Sequence, residues 1–307
     1  VPTGFSATSY QLNQSAAFRQ VAFICNLSEG GNALPRLTGT CQKFINVVYY
    51  HLYKNYSEVR VVAYGVFAEF YDKLTGNVHY KERADYLLEL CKRFNHDTGI
   101  TLDLACGTGT LTLELKRRGV DVYGIDGSQE MLSEASMKAF EEELEVLFLC
   151  QKMQSIDLYG TIDTCFCTLD SINHMVKKED VEKTFERLSL FMNKGGLFVF
   201  DVNTVYKHRE ILKDNVFVFD TDEVYCVWQN TPVDSYVEEI SLDFFIPHPN
   251  GGYIRERECF RERAYETEEI KEMLRSSGFE VKSVFGDMSF ETPDEKEQRL
   301  YFVAQKV

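Results

Sequence analysis

Apolar residues recur at helical spacing in "ERADYLLELCKRF", where Leu87, Leu88 and Cys91 share a face, and the pattern then changes to "GITLDLA", a short apolar run of strand type. A glycine-rich turn follows. The chain next enters "LTLELKRRG", a helix closed by Gly119, and "VDVYGID", a second strand. Ser128 is placed to cap the helix beginning "QEMLSEASMKAF". Two further strands are read in "LEVLFLCQ" and "IDTCFCTL". A helical stripe of Val181, Phe185, Leu188 and Met192 precedes Gly195 and Gly196, and "LFVFDVN" is a fifth strand. This alternation predicts an α/β domain, a mainly parallel sheet with helices on both faces.

Between Asn203 and Tyr265 the alternation stops. "VFVFD", "VYCVWQN", "SYVEEISLDFFIP" and "YIRERECFRERAY" read as strands, with "PNGG" a hairpin turn, so residues 204–264 are expected to form an antiparallel β insertion. A helix capped by Thr267, with Ile270, Met273 and Leu274 on one face, and strands at "FEVKSVF" and "RLYFVAQ" complete the chain. The domain proper is therefore expected to span 61–203 and 265–307.

Residues 1–60 differ. They lack sustained periodicity and hold five basic residues against Glu29 and Glu58, so the negative balance lies beyond them. They read as an N-terminal extension with too little pattern to order by itself. The 307 residues are 44% hydrophobic, ordinary for a globular protein, and no apolar run reaches the ~20 residues of a membrane helix. No signal-peptide pattern opens the chain, so a cytoplasmic location is expected. A net charge of −15 opposes nucleic-acid binding, which depends on neutralising lysines and arginines. The mixed run "RERECFRER" reads as a solvated face rather than a basic groove. Nine cysteines include no CxxC pair; Cys150, Cys165 and Cys167 read as small buried apolar residues, and no metal site is expected.

The stretch "LDLACGTGT" carries the candidate chemistry, because a strand, a tight glycine turn and a helix N-terminus let backbone approach a bound cofactor closely. A nicotinamide fingerprint would place a third glycine where Thr112 stands. The acid at Asp103, the small residue at Ala105, and Gly107 and Gly109 instead resemble motif I of the class I S-adenosylmethionine (SAM)-dependent methyltransferases. Asp126, ending the second strand, matches the next motif. From about Tyr64 onward the chain is similar to a bacterial small-molecule subgroup of that family through "FAEFYDKL", "DLACGTG", "LDSINHM" and "RERAY". It also resembles, more loosely, the amino-sugar N-methyltransferases through "ACGTGT" and "SINHM".

The resemblance implies a Rossmann-like sheet, SAM as cofactor, and a cofactor set of Tyr71, Asp103, Ala105, Cys106, Gly107, Gly109, Asp126, Met131, Lys152, Met153 and Leu169. A carboxylate at Asp126 suits two adjacent ribose hydroxyls, and Gly107 and Gly109 keep Cβ atoms out of the cofactor's way. Asp103 is expected near the methionine end. Where the family has an aspartate and an apolar residue for adenine, this chain has Lys152 and Met153; an ammonium offers no acceptor, so the polar contact falls to Gln151 or Gln154.

Methyl transfer from a sulfonium needs an aligned nucleophile and no covalent residue. His174, Asp170 and Tyr71 are the candidate bases for a small-molecule acceptor at nitrogen or oxygen. "TLDS" lacks the Asn/Asp-Pro-Pro segment of DNA amino-methylases, and no Pro-Cys nucleophile of cytosine-C5 enzymes is present. The alternative is a SAM-binding sensor or scaffold without catalysis. The β insertion, with Tyr225, Trp228, Phe244, Phe245 and Phe260, is expected to roof the acceptor pocket or to pair two subunits.

Overall fold

Five parallel strands set the frame. In the computed structural model, which describes residues 65–307, β1 (Ile100–Leu104) lies between β2 (Asp121–Asp126) and β4 (Ile162–Cys167). Beyond them β3 (Phe148–Cys150) pairs with β2, and β5 (Met192–Asn203) with β4. The last strand, β11 (Arg299–Lys306), enters antiparallel between β5 and β10 (Phe279–Phe285), giving seven strands in the order 10-11-5-4-1-2-3. The expectation for residues 1–60 lies outside the described residues.

Helices cover both faces because their apolar stripes match it. On one face α2 (Tyr80–Arg93) and α3 (Thr110–Arg117) bury Ala84, Leu87, Leu90, Leu111 and Leu115. On the other, α5 (Lys178–Phe191) and α6 (Thr267–Ser276) bury Val181, Phe185, Leu188, Ile270 and Leu274 beneath a run of rings in which Phe200 stacks on Phe302 with centroids 5.1 Å apart. Each fully buried Phe or Leu contributes about 1.5–3 kcal/mol. On α2 the stripe is centred on Leu87 and Leu90, with Leu88 only partly buried. Met192 begins β5 rather than closing α5.

Two caps differ in kind. Ser128 Oγ accepts from Met131 N at 3.2 Å and opens α4 (Gln129–Glu141). The cap of α6 is Glu266, not Thr267: Glu266 and Glu269 form a reciprocal capping box, so the longer acid one residue earlier satisfies the exposed N–H groups. Cys165 and Cys167 are buried as expected, whereas Cys150 is exposed because β3 is the sheet's edge strand.

The segment between β5 and α6 forms a second, four-stranded antiparallel sheet of β6 (Val216–Asp220), β7 (Tyr225–Pro232), β8 (Val237–Pro247) and β9 (Tyr253–Arg263). Its inner face carries Cys226, Ile240, Leu242 and Phe244. These pack with Phe67, Phe70 and Leu74 of α1 (Gly65–Leu74) and with Met131. The aromatic run therefore divides between two faces. Phe244, Phe260 and Trp228 turn inward, while Tyr225 and Phe245 pair edge to face on the other side. Among the described residues no helix is long and apolar enough to cross a membrane.

Candidate active site

The sheet order reverses between β1 and β4, and a crevice opens beyond the carboxyl ends of strands at such a point. A cleft occupies that place. Its walls come from Tyr71, from Asp103, from Ala105 through Thr108, and from Thr168 and Leu169. Ala105, Leu169 and Asp170 all hold left-handed backbone, with φ of 59°, 59° and 56°. Such strain in residues with side chains concentrates at functional sites.

The glycine turn is fixed from two sides. Asp126 Oδ2 accepts from Gly107 N at 2.9 Å, and Oδ1 accepts from Ser128 N at 2.8 Å, so one carboxylate ties the turn to the start of α4. Burial outweighs these two bonds and raises the Asp126 carboxyl above its ordinary value. On the other side Asp72 of α1 accepts from Thr108 Oγ1 at 2.7 Å and Thr110 Oγ1 at 3.0 Å. The two glycines serve different ends. A Cβ on Gly107 (φ 55°) would meet open space, whereas one on Gly109 (φ 73°) would lie 2.8 Å from Ala135 Cβ and 3.1 Å from Phe148, so Gly109 lets α4 and β3 close on the turn.

Asp103 is only 2% exposed, and Thr112 Oγ1 donates to its Oδ2 at 2.5 Å. Burial pushes this carboxyl up to about 7, against the Thr112 bond and with help from the nearby Asp126 charge. Tyr71, Asp103, Ala105, Cys106, Gly107 and Leu169 thus share one cleft. The other residues of the expected set are not among its lining residues. Met131 is buried in the α1 cluster, Met153 is half-buried against the main core, and Lys152 is exposed beside Gly127. Gln151 is engaged elsewhere: its amide donates to Asp157 O at 3.1 Å and accepts from Asp157 N at 2.7 Å, leaving Gln154 as the remaining candidate for adenine.

On the far side of the cleft the loop after β4 is held by Asp201, a fully buried acid of β5. Its carboxylate accepts from Leu169 N and Asp170 N, each at 2.8 Å, and pairs with Arg299 of β11. Arg299 also donates to Asp170 Oδ1 at 2.7 Å. Burial opposes the Asp170 charge, but Arg299 and Lys207 more than offset it and hold the carboxyl below the ordinary range. Asn173 ties the same loop to Asn203 N at 2.9 Å and to Arg263 O at 2.9 Å.

The three candidate bases differ chemically. Burial, reinforced by Tyr80 and Asp170, raises the Tyr71 phenol well above its usual value, so it stays protonated and can donate. Asp170 stays ionised in its ion pair. His174 is lowered by burial and is a neutral imidazole near pH 7, able to take a proton. Its ring packs on Phe260 with centroids 5.1 Å apart, and its Nε2 lies 3.6 Å from Glu262 Oε1.

Sequence reasoning missed Glu262. Alternation along β9 turns Glu258, Phe260 and Glu262 inward and Arg255, Arg257 and Arg261 outward, so only half of "RERECFRER" is a solvated face. Glu258 Oε1 accepts from Val66 N and Phe67 N at 2.9 and 3.0 Å, anchoring α1 to the second sheet. Glu262 is 2% exposed, and burial with the Asp170 charge raises its carboxyl well above the ordinary value. Ligand-capable atoms of Asp170, His174 and Glu262 lie within 4.8 Å of one another, although no metal site was expected from the cysteine pattern.

A family model described as a methyltransferase domain matches residues 101–196. A curated protein of Geobacillus sp. (strain WCH70) that carries a methyltransferase name is 32% identical over 249 residues, spanning 80% of this chain and 100% of that protein. A crystal structure of an S-adenosylmethionine-dependent methyltransferase from Clostridium acetobutylicum ATCC 824 is 32% identical and superposes with a TM-score of 0.72, covering 79% of this chain and 98% of the other. A glycine/sarcosine N-methyltransferase of Parasynechococcus marenigrum (strain WH8102) is 25% identical over 247 residues, 76% of this chain and 84% of that protein.

Proposed function

We infer, for a chain that belongs to the SAM-dependent methyltransferases, that its acceptor is a small molecule methylated at nitrogen or oxygen in the space between the glycine turn and the loop after β4. The observation that carries this reading is the composition of the two walls. One is backbone and carboxylate, the turn from Ala105 to Gly107 with Asp103 and with Asp126 behind it; across from it are Tyr71 and the loop after β4, which carries Asp170 and His174.

In this reading Asp126 meets the ribose hydroxyls, Gly107 leaves the backbone open to the cofactor, and Asp103 faces the amino end of the methionine moiety. Met153 packs on the adenine. SAM supplies an activated methyl group when bound, so the chain's own residues align the acceptor, exclude water and receive a proton. The second sheet serves as the roof, supported by Phe260 against His174 and by Glu258 on α1. Exposed Val216 and Val218 on edge strand β6 favour pairing of two copies through the same sheet.

The test uses SAM carrying a radiolabelled methyl group, incubated with the full chain and separately with a small-molecule extract, protein and nucleic acid. The reading expects label in the small-molecule fraction with stoichiometric S-adenosylhomocysteine. Label confined to protein or nucleic acid would overturn it.

A further inference from the structure

We propose that the acceptor is an amine, which enters as an ammonium ion among Asp170, His174 and Glu262 and is relieved of its proton there, with Glu262 a catalytic residue in contact with it. This rests on the methyltransferase reading above and names the class of its acceptor.

Three observations carry the proposal. Proton-accepting atoms from the turn after β4 and from the end of β9 converge within 4.8 Å, while the His174–Glu262 separation of 3.6 Å is too long for a direct hydrogen bond. A tetrahedral N–H donor about 2.8 Å from each acceptor spreads them roughly 4.6 Å apart, so the cluster has the span of one ammonium group. The second observation is His208. It is 1% exposed, neither ring nitrogen has a hydrogen-bond partner, and its Nε2 lies 3.9 Å from Glu262 Oε2. A buried imidazole left in that state is costly unless a partner arrives. It is presented by a π-helical turn, Lys207–Leu212, a distortion frequent at functional sites.

The third observation is the charge already present. Arg299 holds Asp170 Oδ1, and Lys207 stands among the same groups, bonded to Asn203 Oδ1 at 2.8 Å. Two fixed cations disfavour a doubly charged metal ion more strongly than a singly charged ammonium. The bases on hand also select the nucleophile. Asp170 is ion-paired and His174 is a weakened base, so neither is strong enough for an alkyl hydroxyl; burial and the Asp170 charge raise the proton affinity of Glu262, so that once ionised it can take the proton of an ammonium.

The step balances. The ammonium gives one proton to the Glu262 carboxylate, directly or through His174, and gains a lone pair. The nitrogen–methyl bond forms as the methyl–sulfur bond breaks; sulfur keeps that bonding pair and becomes a neutral thioether, and the positive charge passes to nitrogen. Glu262 is faced by Asp170 and His174 from the β4 loop, by Lys207 and His208 from the π turn and by Arg299 from β11. It stands opposite Glu238 in the β8–β9 register.

The experiment measures S-adenosylhomocysteine released by the full chain at saturating SAM. The probes are glycine, glucosamine and ethanolamine, each beside its hydroxyl counterpart, glycolate, glucose and ethylene glycol. Turnover is expected for amines alone. Glu262→Gln is expected to lower kcat/KM for the accepted amine about 100-fold, to leave the SAM Kd within twofold, and to recover activity at high pH, where the amine is already neutral. Glu262→Asp, which keeps the acid, should restore part of the rate. Turnover of hydroxyl members alone, no amine accepted, or a Glu262→Gln pH profile identical to that of the parent would overturn the proposal. So would loss of turnover on chelation with restoration by zinc or manganese, which would make the cluster a metal site. Absence of SAM binding would instead overturn the methyltransferase reading.

Discussion

The glycine turn that lines the cleft and the side-chain network behind the loop after β4 are built on different principles. The glycine-turn wall is local: between Asp103 and Ser128 a single carboxylate, Asp126, closes the turn onto the next helix through two backbone N–H groups. The network behind the loop after β4 is assembled from distant places, with Asp170 and His174 after β4, Asp201 on β5, Lys207 and His208 on the π turn, Glu262 on β9 and Arg299 on β11. The first reads as a fixed cradle for a constant cofactor. In the proposed reading the second is a side-chain network that a change of acceptor would rewrite without disturbing the cradle.

The largest expected effect breaks the network alone. Asp201→Ala removes the acceptor of two loop amides and leaves buried Arg83 and Arg299 without their shared carboxylate, which should cost about 3–5 kcal/mol of stability in urea unfolding. A loss near zero would mean the loop after β4 is held by its other contacts. At the glycine turn, Asp126→Ala should weaken SAM by about 2–3 kcal/mol in calorimetry, and the protein should still unfold cooperatively.

The difference shows in pH dependence as well. The Asp103 carboxyl titrates at about 7 when folded and near 3.8 ordinarily, so the folded chain keeps a proton that the unfolded chain has released between those limits. Its contribution to stability therefore falls as pH rises from about 4 to about 7. Asp103→Asn should flatten that part of the profile of the unliganded protein, measured by urea unfolding at a series of pH values; an unchanged slope would place the proton elsewhere. The smallest effect has the opposite sign from most mutations. His208→Leu removes a buried imidazole with no hydrogen-bond partner and should leave stability unchanged or raise it by about 1 kcal/mol while turnover falls.

How much could be read beforehand follows from the same contrast. Asp103, Gly107, Gly109 and Asp126 were legible because the turn chemistry that makes the cradle is written in consecutive residues. The parallel order and the antiparallel insertion were legible from periodicity. Glu262 was hidden because a charged run looks solvated until register assigns alternate residues to a buried face. His208 was hidden because no sequence pattern announces a π turn. Asp201 left a trace, a lone acid within the apolar run "LFVFDVN", which burial explains only together with the two loop amides it receives. Gly109 was recognised for one reason and is required for another, since its missing Cβ makes room for Ala135.

The central claim is that cofactor binding and acceptor chemistry are separable between the glycine turn and the network, and the most direct measurement is calorimetric titration of SAM into Asp126→Ala and Glu262→Gln side by side with the parent chain. The account predicts a loss of about 2–3 kcal/mol for the first and a Kd within twofold of the parent for the second. Unchanged affinity in Asp126→Ala together with a tenfold or greater loss in Glu262→Gln would contradict it, placing the cofactor against the network.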